Sequence, residues 1–409
     1  MQTQIDVASV DLFDMRWWSD GPPHALFADL RRERPIHRNP LPDGSSCWAL
    51  LRHADIAAAS RDPGTFSSAR GGIFLNPDQM LPLEVLGNLL LYMDPPQHTR
   101  FKQILQRVFT PRATATLEPN IRARVTRTID KFVEDGECDL VDDLAVPVPL
   151  GVLTELMGVP EVDIHHFHTW TQELEVTTRD PEPNTAGPAF SKMSAYLHEQ
   201  IERQTAEQVA DSLVMRLRNA VVDGDKLNDL EILTFLGLLA FAGNDTTRNT
   251  MSTGMLALLE HPEALEELRA NPALIPDAVE EILRWTTVIQ WFKRTATRDT
   301  ELAGEEIHEG DRVILWYGSG SRDENVFAHA DRFDIHRGHN EHMAFGGGGR
   351  HFCLGASLAR LELRLMLEET LSRLQDLELA GEVERLPSNW AHGLVHLPVT
   401  FKPADRRAG

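Results

Sequence analysis

The sequence predicts a mainly α-helical protein with a minor β region, folded as one domain over residues 1–409. Three observations support this fold class. Apolar residues recur at the spacing of amphipathic helices along most of the chain. Runs of β-branched or aromatic residues are few and short. No low-complexity tract, internal repeat or Gly/Ser linker divides the 409 residues.

The elements follow from these patterns. Helical spacing covers residues 25–32, 98–108, 113–134, 189–219, 227–260, 262–270, 277–285 and 354–374. Strand-like runs fall within about 46–52, 286–316 and 395–401, which we expect to form a small sheet. Residues 67–91 and 158–188 are rich in Gly, Pro and apolar side chains without a sustained period. Such segments are often lids or binding walls, and tolerated surface insertions are equally consistent with their composition.

Composition excludes several classes of protein. Lys and Arg total 40 against 62 Asp and Glu, and the net charge of -22 argues against a nucleic-acid partner. The cysteines, Cys47, Cys138 and Cys353, are too few and too widely spaced for a disulfide framework, which favours a reducing compartment. The N-terminal residues do not resemble a signal peptide, and the apolar stretch 232–243 is too short to span a membrane. We therefore expect a cytoplasmic protein without a membrane span.

The segment FGGGGRHFCLG, from Phe345 to Gly355, is the sharpest motif in the chain. Glycine runs suit a backbone that turns tightly or lies close to something bulky. The leucines after Cys353 have helical spacing, so the cysteine precedes a helix N-terminus, which stabilises a thiolate. A thiolate is both a nucleophile and a metal ligand. No second cysteine lies nearby for a zinc or iron–sulfur site, whereas one thiolate is enough for haem. The alternative is a small buried cysteine beside a turn.

A second motif interrupts the longest predicted helix, residues 227–260, where its middle reads AGNDTT. Glycine, Asn, Asp and Thr are poor helix formers, so we expect a local distortion that leaves room for a ligand. Asp245 and Thr246 place an acid beside a hydroxyl, a pair that can hold a water chain and pass protons. A solvated kink is the equally weighted alternative from this helix alone.

Together these motifs resemble the cytochrome P-450 haem-thiolate monooxygenases over nearly the whole chain. The resemblance implies a haem b between a long distal helix and the proximal Cys-loop helix, with Cys353 as the axial iron ligand. The Cys loop differs from the family in one place, because Phe345 lies eight residues before the cysteine instead of seven. That spacing resembles the bacterial subgroup that acts on sterols, branched lipids and terpene alcohols.

The same resemblance assigns roles to other residues. Asp245 and Thr246 would deliver protons during O2 activation, and Glu281, Arg284 and Arg332 would form a buried structural trio. The implied haem contacts are His98, Lys102, Ala242, Gly243, Arg294, Phe345, His351 and Gly355. Four of these residues, His98, Lys102, Arg294 and His351, would meet the two propionates. Lys102 departs from the family, which has Arg there, and offers a point charge instead of a planar fork.

The sequence also suggests a class of substrate and a source of electrons. The expected pocket is apolar and includes Phe74, Leu75, Leu83, Trp170, Leu238, Val288, Ile289 and Leu394, which suggests a steroid, branched fatty acid or terpenoid. The chain has no flavin or iron–sulfur motif, so electrons for O2 reduction would come from a ferredoxin and its ferredoxin reductase. Their dock would use Arg107, Arg112, Arg350, Arg360 and Arg364. The alternatives are a peroxide-dependent haem-thiolate enzyme and a non-catalytic haem-containing carrier or sensor.

Overall fold

The computed structural model describes residues 7–75, 83–179, 187–209 and 212–407, apart from the side chains of residues 8, 83, 84, 168 and 174–179. The helices are α1 His24–Glu33, α2 His53–Arg61, α3 Leu83–Leu86, α4 Gln97–Val108, α5 Pro111–Ala115, α6 Glu118–Ile129, α7 Pro147–Met157, α8 Ile164–Arg179, α9 Gly187–Ala206, α10 Leu213–Asn219, α11 Asp229–Glu260, α12 Pro262–Ala270, α13 Ile275–Thr286, α14 Tyr317–Gly320 and α15 Ala356–Arg373. The predicted mainly α-helical class is confirmed.

The β region consists of short strands in small sheets. The strands are β1 Ile36–Pro40, β2 Ser46–Leu50, β3 Phe66–Ser67, β4 Glu137–Asp139, β5 Trp291–Ala296, β6 Thr300–Leu302, β7 Glu305–Ile307, β8 Arg312–Trp316, β9 Gln375–Leu379, β10 Glu384–Arg385, β11 Leu394–His396 and β12 Pro398–Lys402. The largest sheet has the order β1-β2-β8-β5-β3, and only its β2/β8 pair is parallel. Arg294 lies opposite Val313 in this sheet.

The long helix α11 organises the interior. A capping box starts it, in which the Asn228 side chain accepts from the Glu231 amide and the Glu231 carboxylate accepts from the Asn228 amide, each at 2.9 Å. Its first half packs in one core cluster with α4, α8 and α9. Its second half packs in another with α6, α13 and α15. The helix therefore links two hydrophobic cores, and its middle lies between them.

Several predicted element boundaries are wrong. The predicted helix 113–134 is split into α5 and α6, and 189–219 is split into α9 and α10. The run from 286 begins inside α13, and its strand starts only at Trp291. The segment 158–188 contains α8, which its irregular hydrophobic pattern concealed. None of the described helices is long and apolar enough to cross a membrane.

Candidate active site

The Cys loop, residues 345–355, turns tightly against α2 before it enters α15. Gly349 has a φ of 73°, which side-chain-bearing residues rarely adopt. A Cβ on Gly349 would also lie 3.1 Å from Arg61 Cα at the end of α2. The amide of Cys353 donates to the carbonyl of Phe345 at 3.0 Å and closes the loop. The glycine run thus lets the backbone fold back on itself in a space too tight for side chains.

The Phe345 ring stays beside the cysteine despite the additional glycine. It is buried, and its centroid lies 6.1 Å from that of Phe352 in an edge-on contact. The Arg360 guanidinium lies over the same ring, with its central carbon 4.5 Å from the ring centroid. The ring therefore packs between the loop and the first turns of α15.

The Cys353 sulfur lies deep in the protein and yet has accessible surface. Burial raises the pKa of its thiol, while hydrogen bonds from the Gly355 and Ala356 amides and the charges of Lys102 and Arg360 oppose that rise. The side chain is nevertheless exposed by surface area. Both observations hold if the sulfur faces an internal space. The helix N-terminus and the two cations favour the thiolate there.

The middle of α11 carries accessible side chains between the two buried cores. Ala242 is exposed, and Leu238, Phe241, Asp245 and Thr246 are half-buried, although the helix on both sides is buried in the two cores. These positions recur at helical spacing, so they form one stripe. Leu354, next to the cysteine, packs against the same core cluster as Leu238 and Phe241. The stripe and the sulfur therefore belong to one part of the interior.

The expected break in α11 is absent, since the helix runs continuously from Asp229 to Glu260. The helix accommodates polar side chains by bonding them to its own backbone: the Thr246 hydroxyl donates to the Ala242 carbonyl at 2.8 Å. The Asp245 carboxylate accepts from the Asn244 amide group at 3.3 Å, and its Oδ1 lies 3.7 Å from Arg248 Nη2. The acid and the hydroxyl are thus adjacent on the stripe. Sequence analysis missed Arg248, whose signal was its i,i+3 spacing from the acid.

Four predicted propionate contacts converge in what we call the His98 cluster: His98, Lys102, Arg294 and His351. The two histidine rings lie 4.2 Å apart between centroids. Burial, followed by the charges of Lys102 and Arg350, lowers the pKa of His98 to about 4. Burial, followed by the charge of Arg294, lowers the pKa of His351 to about 2. This interior carries excess positive charge.

The His98 cluster fits the carboxylates of a haem. His98 is 1% exposed, and neither ring nitrogen has a hydrogen-bond partner among the described residues. Arg294 is also buried and forms no ion pair with any carboxylate in the described ranges. Buried polar and charged groups without partners are costly unless a ligand completes them. Two carboxylates would supply acceptors for the His98 ring and negative charge beside Lys102, Arg294 and Arg350, to which the described part of the protein itself adds only Asp94.

Lys102 occupies a different place from the other members. Its Nζ donates to the carbonyls of Arg350 and Phe352, the latter at 2.6 Å. Both carbonyls belong to the Cys loop and precede the cysteine. The His351 Nε2 lies 3.2 Å from the Ser68 hydroxyl, and so connects the loop to the segment after β3.

A second buried group, which we call the Glu281 cluster, comprises Glu281, Arg284 and Arg337. Glu281 and Arg284 are fully buried and form a bidentate pair at 2.7 Å. Arg337, not the predicted Arg332, is the third member, because its Nε donates to Glu281 Oε2 at 3.0 Å. The Arg332 side chain is exposed, and its carbonyl accepts from both arginines of the cluster. The sequence offered two arginines near this place and no means of choosing between them.

The predicted pocket residues fall into two groups. Phe74, Leu75, Leu238 and Ile289 are half-buried, whereas Trp170, Val288 and Leu394 are buried in the core. The side chain of Leu83 lies outside the described residues. Trp390, which sequence analysis missed, stacks on Phe241 with centroids 6.3 Å apart and contacts Phe74 at 5.2 Å. An aromatic wall therefore adjoins the stripe of α11.

Two of the predicted docking cations are already paired. Arg360 binds Glu280 through two hydrogen bonds of 2.6 and 2.8 Å. Arg364 is paired with Glu118 at 2.7 Å and with Glu368 at 2.9 Å. Arg107, Arg112 and Arg350 are exposed and have no carboxylate partner within the described part of the chain. These three are the cations that remain available to an acidic surface.

Comparisons with known proteins identify relatives of this chain. The family model described as Cytochrome P-450 matches residues 188–403. A methyl-branched lipid omega-hydroxylase of Mycobacterium tuberculosis is 37% identical and covers 97% of this chain and 96% of its own. A steroid C26-monooxygenase of Mycolicibacterium smegmatis is 36% identical over 93% of this chain and 90% of its own.

A solved structure shares the whole architecture. The Mycobacterium marinum cytochrome P-450 in complex with pseudoionone has a TM-score of 0.86 and 33% identity, over 98% of this chain and 100% of that one. The family and fold imply a haem with a cysteine thiolate ligand and an oxidoreductase that acts as a monooxygenase. The cysteine loop, the polar stripe of the long helix and these matches lead to one conclusion: the chain belongs to the cytochrome P-450 family.

Proposed function

We propose that this cytochrome P-450 hydroxylates a hydrophobic substrate, with Cys353 as the axial ligand of a haem b. The observation that carries the proposal is the Cys353 thiol, which accepts hydrogen bonds from two backbone amides and yet keeps accessible surface. A thiolate held in this way is a suitable iron ligand, and the excess positive charge of the His98 cluster suits the haem carboxylates. When bound, the haem would supply O2 activation and one-electron chemistry.

The residues of the stripe would manage protons during the reaction. Thr246 keeps its hydroxyl on the helix, where it donates to the Ala242 carbonyl at 2.8 Å. Its oxygen can still accept a hydrogen bond from a water. Asp245 next to it is a carboxylate held near Arg248 at 3.7 Å. An acid beside a hydroxyl can pass protons from the interior of the protein to the space that the sulfur faces.

The substrate we propose is a methyl-branched lipid, a steroid or a terpenoid. The half-buried pocket residues Phe74, Leu75, Leu238 and Ile289 are all apolar, and the Phe241–Trp390 stack extends the wall. An apolar pocket recognises such molecules by shape more than by charge. The relatives named for methyl-branched lipid and steroid hydroxylation support these classes.

Electrons would come from a separate ferredoxin, itself reduced by a ferredoxin reductase. The exposed and unpaired Arg107, Arg112 and Arg350 support docking of an acidic protein. Arg112 also lines an open hollow of about 430 Å³ together with Arg216. This proposal replaces the wider dock predicted from sequence, since Arg360 and Arg364 are neutralised within the chain.

Binding of candidate substrates to the ferric, haem-loaded protein tests the substrate class. A steroid, a methyl-branched fatty acid and a terpene alcohol are titrated separately while the Soret band is recorded. We expect a saturable shift toward the high-spin spectrum with one class, because an apolar ligand over the haem displaces water. Absence of a shift with all three would contradict the proposed substrate range.

The variant Thr246→Ala tests the proton-delivery role, with the adjacent buried Thr247→Ala as its matched control. We expect Thr246→Ala to keep consuming electrons while hydroxylated product falls about tenfold or more and hydrogen peroxide accumulates. Thr247→Ala should keep the yield of product per electron. Equal yields in both variants would remove Thr246 from the mechanism while leaving the substrate proposal intact.

A further inference from the structure

The Lys102 side chain contacts the backbone of the Cys loop. Its Nζ donates to the carbonyl of Arg350 and, at 2.6 Å, to that of Phe352. These two carbonyls lie three residues and one residue before Cys353, so one ammonium group ties together the backbone that leads to the sulfur. A lysine ammonium has three donors, and two of them are used in this way.

The helix that carries Lys102 is itself fixed. Arg100, two residues earlier on α4, forms ion pairs with Asp225 and, at 2.5 Å, with Glu231. Glu231 belongs to the capping box at the start of α11. These ion pairs therefore tie α4, the helix that carries Lys102, to the start of α11, the helix that carries the polar stripe.

Lys102 is also the cation near the sulfur whose charge is not balanced. Arg360, the other cation that acts on Cys353, forms a bidentate ion pair with Glu280. No carboxylate pairs with Lys102 in the ranges that the structure describes. A balanced pair has a weak field at a distance, whereas an unpaired charge such as that of the half-buried Lys102 acts more strongly on its neighbours. Of the two side-chain cations that act on the sulfur, Lys102 therefore has the larger effect, after the hydrogen bond from the Gly355 amide.

We propose that Lys102 is a positioning residue for the axial cysteine: it clamps the Cys loop through two carbonyls, and its charge weakens the electron donation of the thiolate. The proposal rests on Cys353 being the haem ligand, as proposed above. It differs from a propionate contact, the role that the resemblance alone implies. A lysine suits the clamp because it concentrates its charge and donors at one atom, whereas the planar fork of arginine matches a carboxylate.

A positive charge beside the sulfur has two measurable consequences. It favours the ferrous over the ferric state, because reduction adds one negative charge to the site. It also lowers the electron density available to the iron–sulfur bond. Removal of the charge should therefore make the reduction potential more negative and strengthen the bond between iron and sulfur.

The test compares Lys102→Met and Lys102→Arg with the control Lys131→Met, which removes an exposed charge beyond α6. The iron–sulfur stretching frequency of the ferric, haem-loaded protein is measured by resonance Raman spectroscopy. The ferric-to-ferrous ratio is measured at a fixed potential. We expect Lys102→Met to raise the stretching frequency and to increase that ratio about threefold or more. The stretching frequency and the ratio of Lys102→Arg should lie between those of Lys102→Met and the wild type. Both quantities in Lys131→Met should equal those of the wild type.

Two results would overturn the proposal. An unchanged iron–sulfur stretch in Lys102→Met, with altered propionate bands, would assign Lys102 to the propionates. An unchanged stretch and ratio, with only lower thermal stability, would leave Lys102 a purely structural role. Failure of Cys353 ligation is distinguished from both, because the wild-type protein would then show no iron–sulfur stretch at all.

Discussion

The interior holds two clusters of charged and polar residues that differ in how their charges are compensated. In the Glu281 cluster, one carboxylate lies between two arginines, and further donors from the Asp334 amide and the Asn340 side chain satisfy its oxygens at 2.9 and 3.2 Å. In the His98 cluster, the cations Lys102 and Arg294 lie with two histidines whose pKa values are lowered. Among the described residues no carboxylate pairs with these members, and both nitrogens of the His98 ring are without hydrogen-bond partners. Within the part of the chain that the structure describes, the charges and hydrogen bonds of the Glu281 cluster are compensated by the chain itself, whereas those of the His98 cluster are not.

This difference separates structural charge from ligand-binding charge. A protein keeps a buried ion pair when hydrogen bonds compensate both ions, and such a pair holds elements together. Buried cations without a counter-ion cost free energy in the folded state unless a ligand supplies one. Removing a member of the Glu281 cluster should therefore destabilise the fold, whereas removing His98 should weaken haem binding and leave the fold.

The largest effect is expected for Glu281→Gln. The substitution leaves Arg284, which is fully buried, without its carboxylate. Breaking a buried pair by removing one partner costs about 3–5 kcal/mol. We expect the free energy of unfolding in urea to fall by about that amount. The matched control is Arg332→Ala, which removes the exposed side chain that sequence analysis assigned to the trio and should change stability by less than about 0.5 kcal/mol. A larger loss in Arg332→Ala than in Glu281→Gln would reverse the assignment.

A smaller and pH-dependent effect is expected for Glu280→Gln, beside the Glu281 cluster on α13. Although burial opposes it, hydrogen bonds from Arg360 and His342 lower the pKa of Glu280 to about 2. The folded-state pKa lies below the unfolded one, so the stabilisation is complete above about pH 4.5 and is lost as the pH falls toward 2. The shift corresponds to about 3 kcal/mol, which we reduce to about 2 kcal/mol because Arg360 is partly exposed.

Urea unfolding at pH 7, 5 and 3 measures this prediction. The difference in unfolding free energy between wild type and Glu280→Gln should be equal at pH 7 and pH 5 and clearly smaller at pH 3. A difference that stays constant down to pH 3 would mean that Glu280 contributes through packing and not through its charge.

His98→Leu should affect haem binding without unfolding the protein. The leucine removes two buried nitrogens that have no partner among the described residues, so the fold loses no hydrogen bond. A haem carboxylate would lose one donor, and we expect haem to dissociate about tenfold faster when it is transferred to an acceptor protein. His198→Leu, which replaces a histidine that is 58% exposed, is the control. Equal haem dissociation from both variants would show that the His98 cluster does not hold the propionates.

The sequence predicted the two motif-bearing elements well and the ion pairs less well. Helices α4, α11 and α15 lie within a few residues of their predicted bounds because each has a sustained apolar period. Helix α7 was missed because it is apolar on nearly all sides, which leaves no period to detect. The choice of Arg337 over Arg332 depends on how the loop after α14 folds, and spacing along the chain does not encode that.

The smallest effect on stability is expected at the surface, where charge is neither buried nor paired. Arg107 and Arg112 are exposed, so reversing both to Glu should change the free energy of unfolding by less than about 0.5 kcal/mol per site. The rate of reduction by an acidic ferredoxin should nevertheless fall several-fold at low ionic strength, because charge steers the encounter. The difference should shrink as salt is added, since the screening length at 0.1 M is about 10 Å.

The control for this pair is the double reversal of Lys131 and Lys402, which are equally exposed and change the net charge by the same amount. If overall charge alone mattered, both double variants would slow reduction alike. If the dock lies near α4 and α5, only the Arg107 and Arg112 variant slows it, and its haem spectrum stays that of the wild type. That outcome would define a third use of charge in this molecule, since these cations act on a partner while the two buried clusters act on the fold and on the haem.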